Sequence, residues 1–355
     1  MKIDPHLFYR YDNQWFRTKW EIFNYASTQK NPTLYTEGMQ CVLNKDYGFD
    51  EFDWTVEPSE SWEEICVQRL LKIRDTYPKI CLFYSGGSDS HYILTLFLKY
   101  NIKLDEICNH QIHLKGIDTK WFNHECIEYA VPFVKEHCSH IPFNLYEFND
   151  WSLWTDEKSF TYESKAFKRG LQVYVNPFRG INPDIIDEYT KRGFVVIHGG
   201  TEPHVYYDKE KDKYYAELWD TENFADRCGS PNMISFFTDP AEPQVHAKQC
   251  HLVKNELRRL NLKELDSNSK NPYYKTLYCN VVRDGYRTGT DSPQYEKAAN
   301  HAVFRTKKEQ YMFKQFYKHD KRIFEKYTHF LNAPVKGIPM FRLPKGAIIG
   351  KWYLE

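Results

Sequence analysis

The stretch of sequence that decides the fold spans residues 80–90 and reads Ile-Cys-Leu-Phe-Tyr-Ser-Gly-Gly-Ser-Asp-Ser. Its first five residues are apolar and predict a buried strand, and the residues from Ser90 to Tyr100 predict a helix that follows at once. Two glycines between them allow the backbone to turn tightly and to approach a ligand closely. The amides at the start of the helix then face that ligand with the positive end of the helix dipole. The pattern therefore predicts a phosphate-binding loop, and the plainer alternative is an ordinary strand–turn–helix connection.

The loop offers polar side chains as well as backbone amides. Its serine hydroxyls add hydrogen-bond donors, and Asp89 can either cap the helix or hold a metal ion through water. Three serines and an aspartate around two glycines are more than turn chemistry requires, which favours a binding loop. The residues predicted to bind the ligand here are Ser85, Gly86, Gly87, Ser88, Asp89 and Ser90.

The hexapeptide Ser-Gly-Gly-Ser-Asp-Ser at residues 85–90, directly after a strand, resembles the signature of the N-type PP-loop ATP pyrophosphatases. That group contains asparagine synthetase, GMP synthetase, NAD synthetase and several tRNA-modifying enzymes. In these proteins the loop grips the β- and γ-phosphates of ATP while a substrate oxygen attacks the α-phosphate. The sequence has neither the Walker Gly-Lys-Ser/Thr nor the Gly-Xaa-Gly-Xaa-Xaa-Gly dinucleotide fingerprint. The resemblance covers about residues 60–205 and implies ATP as a cofactor.

Strands and helices alternate after the loop. Residues 104–112, 140–148 and 194–200 are predicted strands, and a helix at 123–137 separates the first two. Such alternation predicts a parallel sheet with right-handed crossovers, and thus an α/β fold in which helices cover both faces of an open sheet. The resemblance implies the same fold, that of the adenine nucleotide alpha hydrolase-like proteins. Because open sheets bind ligands at the carboxyl ends of their strands, we expect both Gly-Gly pairs, 86–87 and 199–200, on one rim.

The chain is predicted to contain three regions. Residues 1–58 are rich in aromatic residues and turn signals, which favours short strands over long helices. Residues 59–245 form the PP-loop ATP-binding domain, which begins with a serine-capped helix that runs to about Tyr77. Residues 246–355 form a basic, mainly helical region with an extended tail. The tyrosine-rich segment 201–220 is interpreted as an insertion or lid.

A second element at residues 196–202, Val-Ile-His-Gly-Gly-Thr-Glu, resembles the turn that binds pyrophosphate and magnesium in the asparagine synthetase branch. Gly199 matches the small residue after the strand, whereas Gly200 stands where that branch has a glutamate thought to act as a base. Glu202 falls near the metal-binding aspartate once one residue is deleted. The resemblance implies that Gly199 and Gly200 bind the nucleotide, and that Asp89 and Glu202 hold Mg²⁺ and take part in catalysis. The plainer alternatives are a turn that needs two glycines and a solvated Glu202.

The same resemblance implies two further site positions. In the family, backbone groups at the ends of the first two strands recognise adenine, which implies that Phe83, Tyr84 and the residues near 111–114, among them His113, lie beside the base. The plainer alternative for His113 is a polar residue at a strand end. The segment 234–240 loosely resembles an apolar–apolar–acid segment near the substrate, which implies a catalytic role for Asp239; an Asp-Pro turn is the plainer alternative. Attack on the α-phosphate also needs a cation to offset the developing charge. Candidates for that cation lie in the basic region: Arg283, Arg287, Arg305, Lys307 and Lys308.

Composition predicts a cytoplasmic enzyme. No apolar run reaches the roughly 18 residues that a membrane span needs, and the amino terminus lacks the apolar core of a secretory signal. Nine cysteines without a Cys-Xaa-Xaa-Cys pair predict reduced thiols in the core, and no Cys/His group has the spacing of a zinc site. Abundant Tyr, Phe, Lys, Asn and Ile suggest an AT-rich genome such as a viral one.

The function implied by the resemblance is that of an AMP-forming ligase, most similar to the synthetase domain of asparagine synthetases. Such an enzyme uses ATP and Mg²⁺ to adenylate a small-molecule acceptor, releases pyrophosphate, and lets an amine or ammonia displace AMP. Glutamine-dependent asparagine synthetases carry a cysteine at the mature amino terminus, whereas Lys2 follows Met1 here. We therefore expect no glutaminase domain, with the nitrogen supplied by free ammonia, a substrate amine or another protein.

Two alternatives remain open at the level of sequence. Lys and Arg outnumber Asp and Glu by 17 to 9 between residues 250 and 330, and the chain is rich in aromatic residues. These features favour phosphate contacts and base stacking, so a PP-loop enzyme that modifies a nucleobase in tRNA or DNA is one alternative. The other is a nucleotide-binding protein without turnover, because Gly200 replaces the expected base.

Overall fold

The computed structural model describes residues 9–11, 14–16, 40–41, 49–113, 123–148, 183–199, 203–219, 232–263, 272–288 and 348–355. Its strands are β1 (Tyr9–Tyr11), β2 (Gln14–Phe16), β3 (Gln40–Cys41), β4 (Ile80–Phe83), β5 (Glu106–Ile112), β6 (Phe143–Phe148), β7 (Val195–His198), β8 (His204–Asp208), β9 (Lys213–Trp219), β10 (Met233–Ser235) and β11 (Ile348–Tyr353). Its helices are α1 (Trp62–Thr76), α2 (Ser88–Lys99), a π-helix (Glu125–Ala130), α3 (Val131–His137), α4 (Pro183–Lys191), α5 (Pro243–Arg259) and α6 (Pro272–Val282).

The central element is a five-stranded sheet with the order β10–β7–β4–β5–β6, in which every pair of neighbours is parallel. From β4 the chain proceeds to β5 and β6 on one side, and it then crosses to β7 and β10 on the other. The strand order therefore reverses between β4 and β7. Such a reversal is a topological switch point, and open α/β sheets bind ligands beyond the carboxyl ends of the strands at this place. The predicted open parallel α/β sheet is confirmed.

Both faces of the sheet are covered by helices, which explains the unbroken apolar run of β4. Successive side chains of a strand point to opposite faces. Leu82 belongs to the larger hydrophobic cluster, which includes residues of α1, α2 and α5, whereas Cys81 and Phe83 belong to a second cluster with Ile185 of α4. All four residues of β4 are buried, as is typical of the inner strand of a parallel sheet.

Helix α1 begins at the predicted serine cap. The Ser61 hydroxyl accepts a hydrogen bond from the Glu64 amide at 3.3 Å, and the Glu64 carboxylate accepts one from the Ser61 amide at 2.8 Å. This reciprocal pair is a capping box, which satisfies two backbone donors that the helix itself cannot pair. The predicted helix start and its end near Tyr77 are confirmed, with Tyr77 as the carboxyl-terminal cap.

We expect Ser61→Ala to lower the free energy of unfolding by about 1 kcal/mol, because the substitution leaves an amide in the first turn of α1 without its acceptor. Urea denaturation measures the change. Ser59→Ala is the matched control, since the Ser59 hydroxyl bonds only the exposed carboxylate of Glu60, and its midpoint should stay where it is. Equal losses in both variants would contradict the role of the cap.

The segment interpreted as a lid is part of the main body in its described residues. Strands β8 and β9 form an antiparallel hairpin, and β9 also pairs with β11 near the carboxyl terminus. Val205 and Ala216 of this sheet are fully buried in the larger hydrophobic cluster. The lid interpretation was therefore wrong for residues 203–219, and the described part of the predicted extended tail is a paired strand.

The amino-terminal region contributes short strands, as predicted, and also packs onto the core. Strands β1, β2 and β3 form a small antiparallel sheet. Trp54 is buried and stacks on Trp352 at a ring distance of 4.4 Å, so residues near 50 lie against the carboxyl-terminal strand. The predicted boundary at 245/246 falls inside α5, which begins at Pro243. The division into three regions stays a prediction.

Two observations concern the predicted cellular environment. In the described ranges, no helix has the length and apolarity that crossing a bilayer requires. Seven cysteines in this part of the chain are buried and form no disulfide, as expected for core thiols. Burial raises the pKa of Cys126 and that of Cys138 to about 11, so both stay protonated near neutral pH.

Candidate nucleotide-binding site

The predicted phosphate loop lies at the switch point, directly after β4. Gly86 has a φ of +92°, a conformation that L-residues rarely adopt. A Cβ atom on Gly86 would lie 2.5 Å from the carbonyl oxygen of Glu125 and 3.0 Å from the amide nitrogen of Ala130. The loop therefore packs directly on the backbone of the π-helix, and only glycine fits at this position.

Helix α2 begins at the loop with an amino terminus that no side chain caps. Gly87 is its cap residue, and no side-chain hydrogen bond is made there. The Ser85 and Ser90 hydroxyl oxygens lie 3.0 Å apart, and the Ser85 hydroxyl also accepts from the Gly87 amide at 3.2 Å. Ser88 and Ser90 are buried. The hydroxyls of Ser85 and Ser90 thus bond within the loop in this structure, so the predicted phosphate would meet the loop mainly through its backbone amides.

The second glycine element touches the first. Phe83 pairs with His198, so β4 and β7 end side by side. A Cβ atom on Gly199 would lie 2.8 Å from Cβ of Asp89 and 2.8 Å from the Ser90 amide nitrogen. The expectation that both glycine turns share one rim is confirmed for Gly199. Gly200 and Glu202 lie outside the described residues, so their predicted roles in nucleotide and magnesium binding stay predictions.

Asp89 is held by the carboxyl-terminal part of the chain. Its Oδ1 atom accepts a 2.7 Å hydrogen bond from Nε of Arg283 and another from the Tyr278 hydroxyl. The carboxylate lies in the first turn of α2, where the helix dipole favours a negative charge. Asp89 therefore joins α2 to the end of α6, a contact that the sequence did not predict.

Arg283 is fully buried in an aromatic cage. Its guanidinium carbon lies 3.7 Å from the ring centre of Phe237 and between 4.9 and 5.7 Å from those of Tyr278, Trp62 and Tyr92. Burial acts to lower the pKa of Arg283, but Tyr278 and Asp89 outweigh it and the pKa stands above its usual value. The cage stabilises the cation through the ring faces.

A buried polar chain continues from Arg283 into α5. Nη2 of Arg283 donates to the Gln249 side-chain oxygen at 3.4 Å, and the Gln249 amide nitrogen lies 2.8 Å from Nδ1 of His246. Burial lowers the pKa of His246 to about 3, so this imidazole is neutral and its Nδ1 accepts. Arg283 is therefore a structural cation rather than a phosphate contact.

Of the other predicted phosphate cations, Arg287 lies in the described part of the chain. Arg287 donates to the Thr276 hydroxyl at 3.0 Å and to the Asn280 side-chain oxygen at 2.6 Å, so its guanidinium is bound to α6. Arg305, Lys307 and Lys308 lie outside the described residues.

A glutamate that the sequence did not single out lies against the loop. Oε2 and Oε1 of Glu125 would be 3.2 and 3.5 Å from a Cβ atom on Gly87. The Thr288 hydroxyl donates to Oε1 at 3.0 Å. Two residues earlier, the Tyr286 hydroxyl donates to the Gly86 carbonyl at 3.3 Å, and the Tyr286 ring stacks on His91 at 3.5 Å. The segment 283–288, which we call the strap, thus crosses the loop.

Tyr84 and His113 occupy the ends of the first two strands, as predicted. The Tyr84 side chain is fully buried, with its hydroxyl 2.9 Å from Nδ1 of His91, so only its backbone can contact a ligand. Burial lowers the pKa of His91 to about 4, which makes this imidazole a neutral acceptor. His113 is exposed, and its Nε2 atom lies 3.2 Å from the Gln111 side-chain oxygen.

Asp239 adopts the plainer of its two predicted arrangements. One carboxylate oxygen accepts from Nη2 of Arg69 at 2.9 Å, and the other accepts from the Ala241 amide at 2.9 Å. The Glu242 amide closes the turn on the Asp239 carbonyl at 3.0 Å. These bonds are those of an Asp-Pro turn anchored to α1, and a catalytic role for Asp239 stays a prediction.

The residues beside the loop fit a magnesium ion that arrives with a triphosphate. Within the described ranges, no three His, Cys, Asp or Glu side chains are grouped to hold a metal by themselves. Mg²⁺ often takes only one or two protein carboxylates and fills its other positions with phosphate oxygens and water. Asp89 uses Oδ1 for its bonds to Arg283 and Tyr278 and keeps 24% of its side chain exposed, so Oδ2 can serve such an ion.

Comparisons with known proteins show distant similarities only. Neither a protein-family model nor a curated protein matches the sequence. Among solved structures, the chain is similar to NMN synthetase from Francisella tularensis, with 13% identity, coverage of 68% of this chain and 96% of that one, and a TM-score of 0.34. It is also similar to NH3-dependent NAD synthetase from Campylobacter jejuni, with 13% identity, coverage of 64% and 95%, and a TM-score of 0.29. Because both scores are low, the fold assignment rests on the strand order of the sheet.

Proposed function

We propose that this protein is an ATP-dependent, AMP-forming ligase that activates a small-molecule acceptor by adenylation. The observation that carries the proposal is the position of the loop. A glycine turn and the uncapped amino terminus of α2 lie at the carboxyl end of β4, next to the point where the strand order reverses. This is the place where an open α/β sheet binds a ligand, and the loop has the backbone geometry to bind phosphate.

The loop would bind the β- and γ-phosphates, and Asp89, with Glu202 as the second predicted carboxylate, would hold Mg²⁺, which offsets phosphate charge when bound. An acceptor oxygen attacks the α-phosphorus, a new P–O bond forms, and the bond to the bridging oxygen breaks so that pyrophosphate leaves with its electron pair. An amine or ammonia then attacks the activated carbon, loses a proton, and displaces AMP. The resemblance to asparagine synthetases suggests a carboxylate as the acceptor.

The test is to incubate the protein with MgATP, ammonium and a panel of carboxylic acids, and to measure AMP and pyrophosphate. We expect both products in equal amounts. The analogue with a methylene group between the β- and γ-phosphates should still give AMP, whereas the one with a methylene group between the α- and β-phosphates should give none. Release of ADP and orthophosphate would contradict the proposal.

A nucleotide-binding protein without turnover is the second candidate, and one observation favours it. Oδ1 of the Asp89 carboxylate is already bonded to the buried Arg283, and the Glu125 carboxylate lies against the loop, so only Oδ2 of Asp89 is left for a metal. Tight binding of MgATP without AMP across the whole acid panel would support this candidate over the ligase.

A further inference from the structure

We propose that Glu125 is a built-in competitor for the phosphate position of the loop and so determines its affinity for nucleotide. In this inference, which rests on the proposed function, the Glu125 carboxylate stays beside the amino terminus of α2 until the triphosphate displaces it. No motif in the sequence marks this residue, and its position is seen only in the folded chain.

The first argument is the place of the carboxylate. Gly87 caps α2, and both oxygens of Glu125 lie within 3.5 Å of the point where a Cβ atom of Gly87 would stand. A loop that lacks a Cβ atom at this point leaves room for a ligand to approach the backbone. The Glu125 carboxylate uses that room. Because the amino terminus of a helix attracts anions, a carboxylate is the kind of group that takes the place of phosphate there.

The second argument is that the carboxylate is fixed in place. The Thr288 hydroxyl donates to Oε1 of Glu125 at 3.0 Å, and Thr288 is itself buried. The backbone of the same helical turn packs on Gly86. The Glu125 side chain is therefore held by Thr288 of the strap, and its backbone is held by packing on Gly86. Such a position is more defined than that of a solvated surface glutamate.

The third argument is electrostatic. A triphosphate carries several negative charges, and a carboxylate beside Gly87 repels it strongly at short range because water is partly excluded. Asp89, which lies two residues further along the loop, has its charge offset by Arg283. The Glu125 carboxylate lies directly against Gly87 and accepts a hydrogen bond from the Thr288 hydroxyl, so its negative charge stands at the point that a phosphate would approach.

The π-helix provides a route for release. Glu125 is the first residue of a six-residue π-helix, a form that is rare and occurs often at functional sites. A change to α-helical bonding shifts the register by one residue, which rotates a side chain by about 100° around the helix axis. Such a shift would carry the Glu125 carboxylate away from Gly87 and open the loop.

The experiment compares Glu125→Gln with Glu128→Gln, which changes an exposed glutamate of the same π-helix. Equilibrium dialysis of ATP and of pyrophosphate, each with and without Mg²⁺, gives the dissociation constants. We expect Glu125→Gln to bind both ligands about tenfold more tightly than the unmodified protein, and Glu128→Gln to bind them equally well. The glutamine keeps the size of the side chain, so the change isolates the charge.

Thr288→Val is a second variant, which leaves Glu125 intact and removes the hydrogen bond that the Thr288 hydroxyl donates to it. We expect an affinity gain of a few-fold, because the carboxylate is then easier to displace. If the unmodified protein binds ATP and Glu125→Gln binds it equally well or more weakly, the competitor role is overturned and the proposed function still stands. If Glu125→Gln weakens binding only when Mg²⁺ is present, Glu125 is a magnesium ligand and not a competitor. Failure of all these proteins to bind ATP or pyrophosphate would overturn both proposals.

Discussion

Replacing Gly86 with alanine is expected to lower the free energy of unfolding by about 3 to 5 kcal/mol and to abolish nucleotide binding. The φ of +92° alone costs an alanine about 1 kcal/mol or more. The new methyl group would also lie 2.5 Å from the Glu125 carbonyl oxygen and 3.0 Å from the Ala130 amide. These are backbone atoms, so the clash cannot be relieved by rotating a side chain and requires the loop and the π-helix to move apart.

Gly193→Ala is the matched control for this substitution. Gly193 has a similar φ of +80°, but a Cβ atom there would meet nothing within 4 Å. This variant should lose only the backbone term, about 1 kcal/mol, and should bind ATP as before. Urea denaturation gives the two stabilities and dialysis gives the ATP affinity. If both variants lost the same stability, the close packing of the loop on the π-helix would be disproved.

The elements around the loop could be predicted from the sequence because their signals are local. The apolar run of β4, the glycines at 86–87 and the serine cap of α1 each lie within a few residues of the structure they specify. General rules of α/β topology then predict a parallel sheet with right-handed crossovers, although they do not specify the order of its strands. For this reason the parallel sheet, and the position of Gly199 on the same rim as Gly86 and Gly87, were predicted correctly.

The partners of the loop could not be predicted because they come from distant parts of the chain. Asp89 and Arg283 are 194 residues apart, and Glu125 and Thr288 are 163 apart. No local pattern states which of several basic residues meets a given carboxylate. The π-helix reads as an ordinary amphipathic helix in sequence, since its wider turn arises from packing. The lid interpretation of residues 203–219 failed for the same reason, because β9 pairs with β11, which is distant in sequence.

The contact between Asp89 and Arg283 allows a second large effect to be predicted. Arg283→Met, which keeps a long side chain and removes the charge, should lower the free energy of unfolding by about 3 kcal/mol. The loss has three sources: the Asp89 carboxylate loses its partner, the Gln249 oxygen and the Val282 carbonyl lose a donor, and the aromatic cage loses its cation. Because Asp89 is partly exposed, the expected loss of stability lies at the lower end of the range for breaking a buried ion pair.

Arg287→Met is the control for Arg283→Met. Arg287 lies four residues away, and its exposed guanidinium bonds only groups of α6, so a loss below about 1 kcal/mol is expected. Equal losses in the two variants would show that the cage adds nothing to the stability of the fold.

The pairing itself is tested by a double-mutant cycle with Asp89→Asn. Alone, Asp89→Asn leaves the buried Arg283 guanidinium without its counter-charge and should cost about 2 kcal/mol. Once Arg283 is methionine, the same change removes an unpaired carboxylate and should cost much less, so the two effects should fall short of additivity by at least about 1 kcal/mol. Strict additivity in urea denaturation would mean that the amino terminus of α2 and the strap are held together by packing alone. A clear coupling energy would instead show that the negative charge of Asp89, next to the loop, is balanced by Arg283 from the carboxyl-terminal part of the chain, so that a metal ion bound at Oδ2 would share this carboxylate with Arg283.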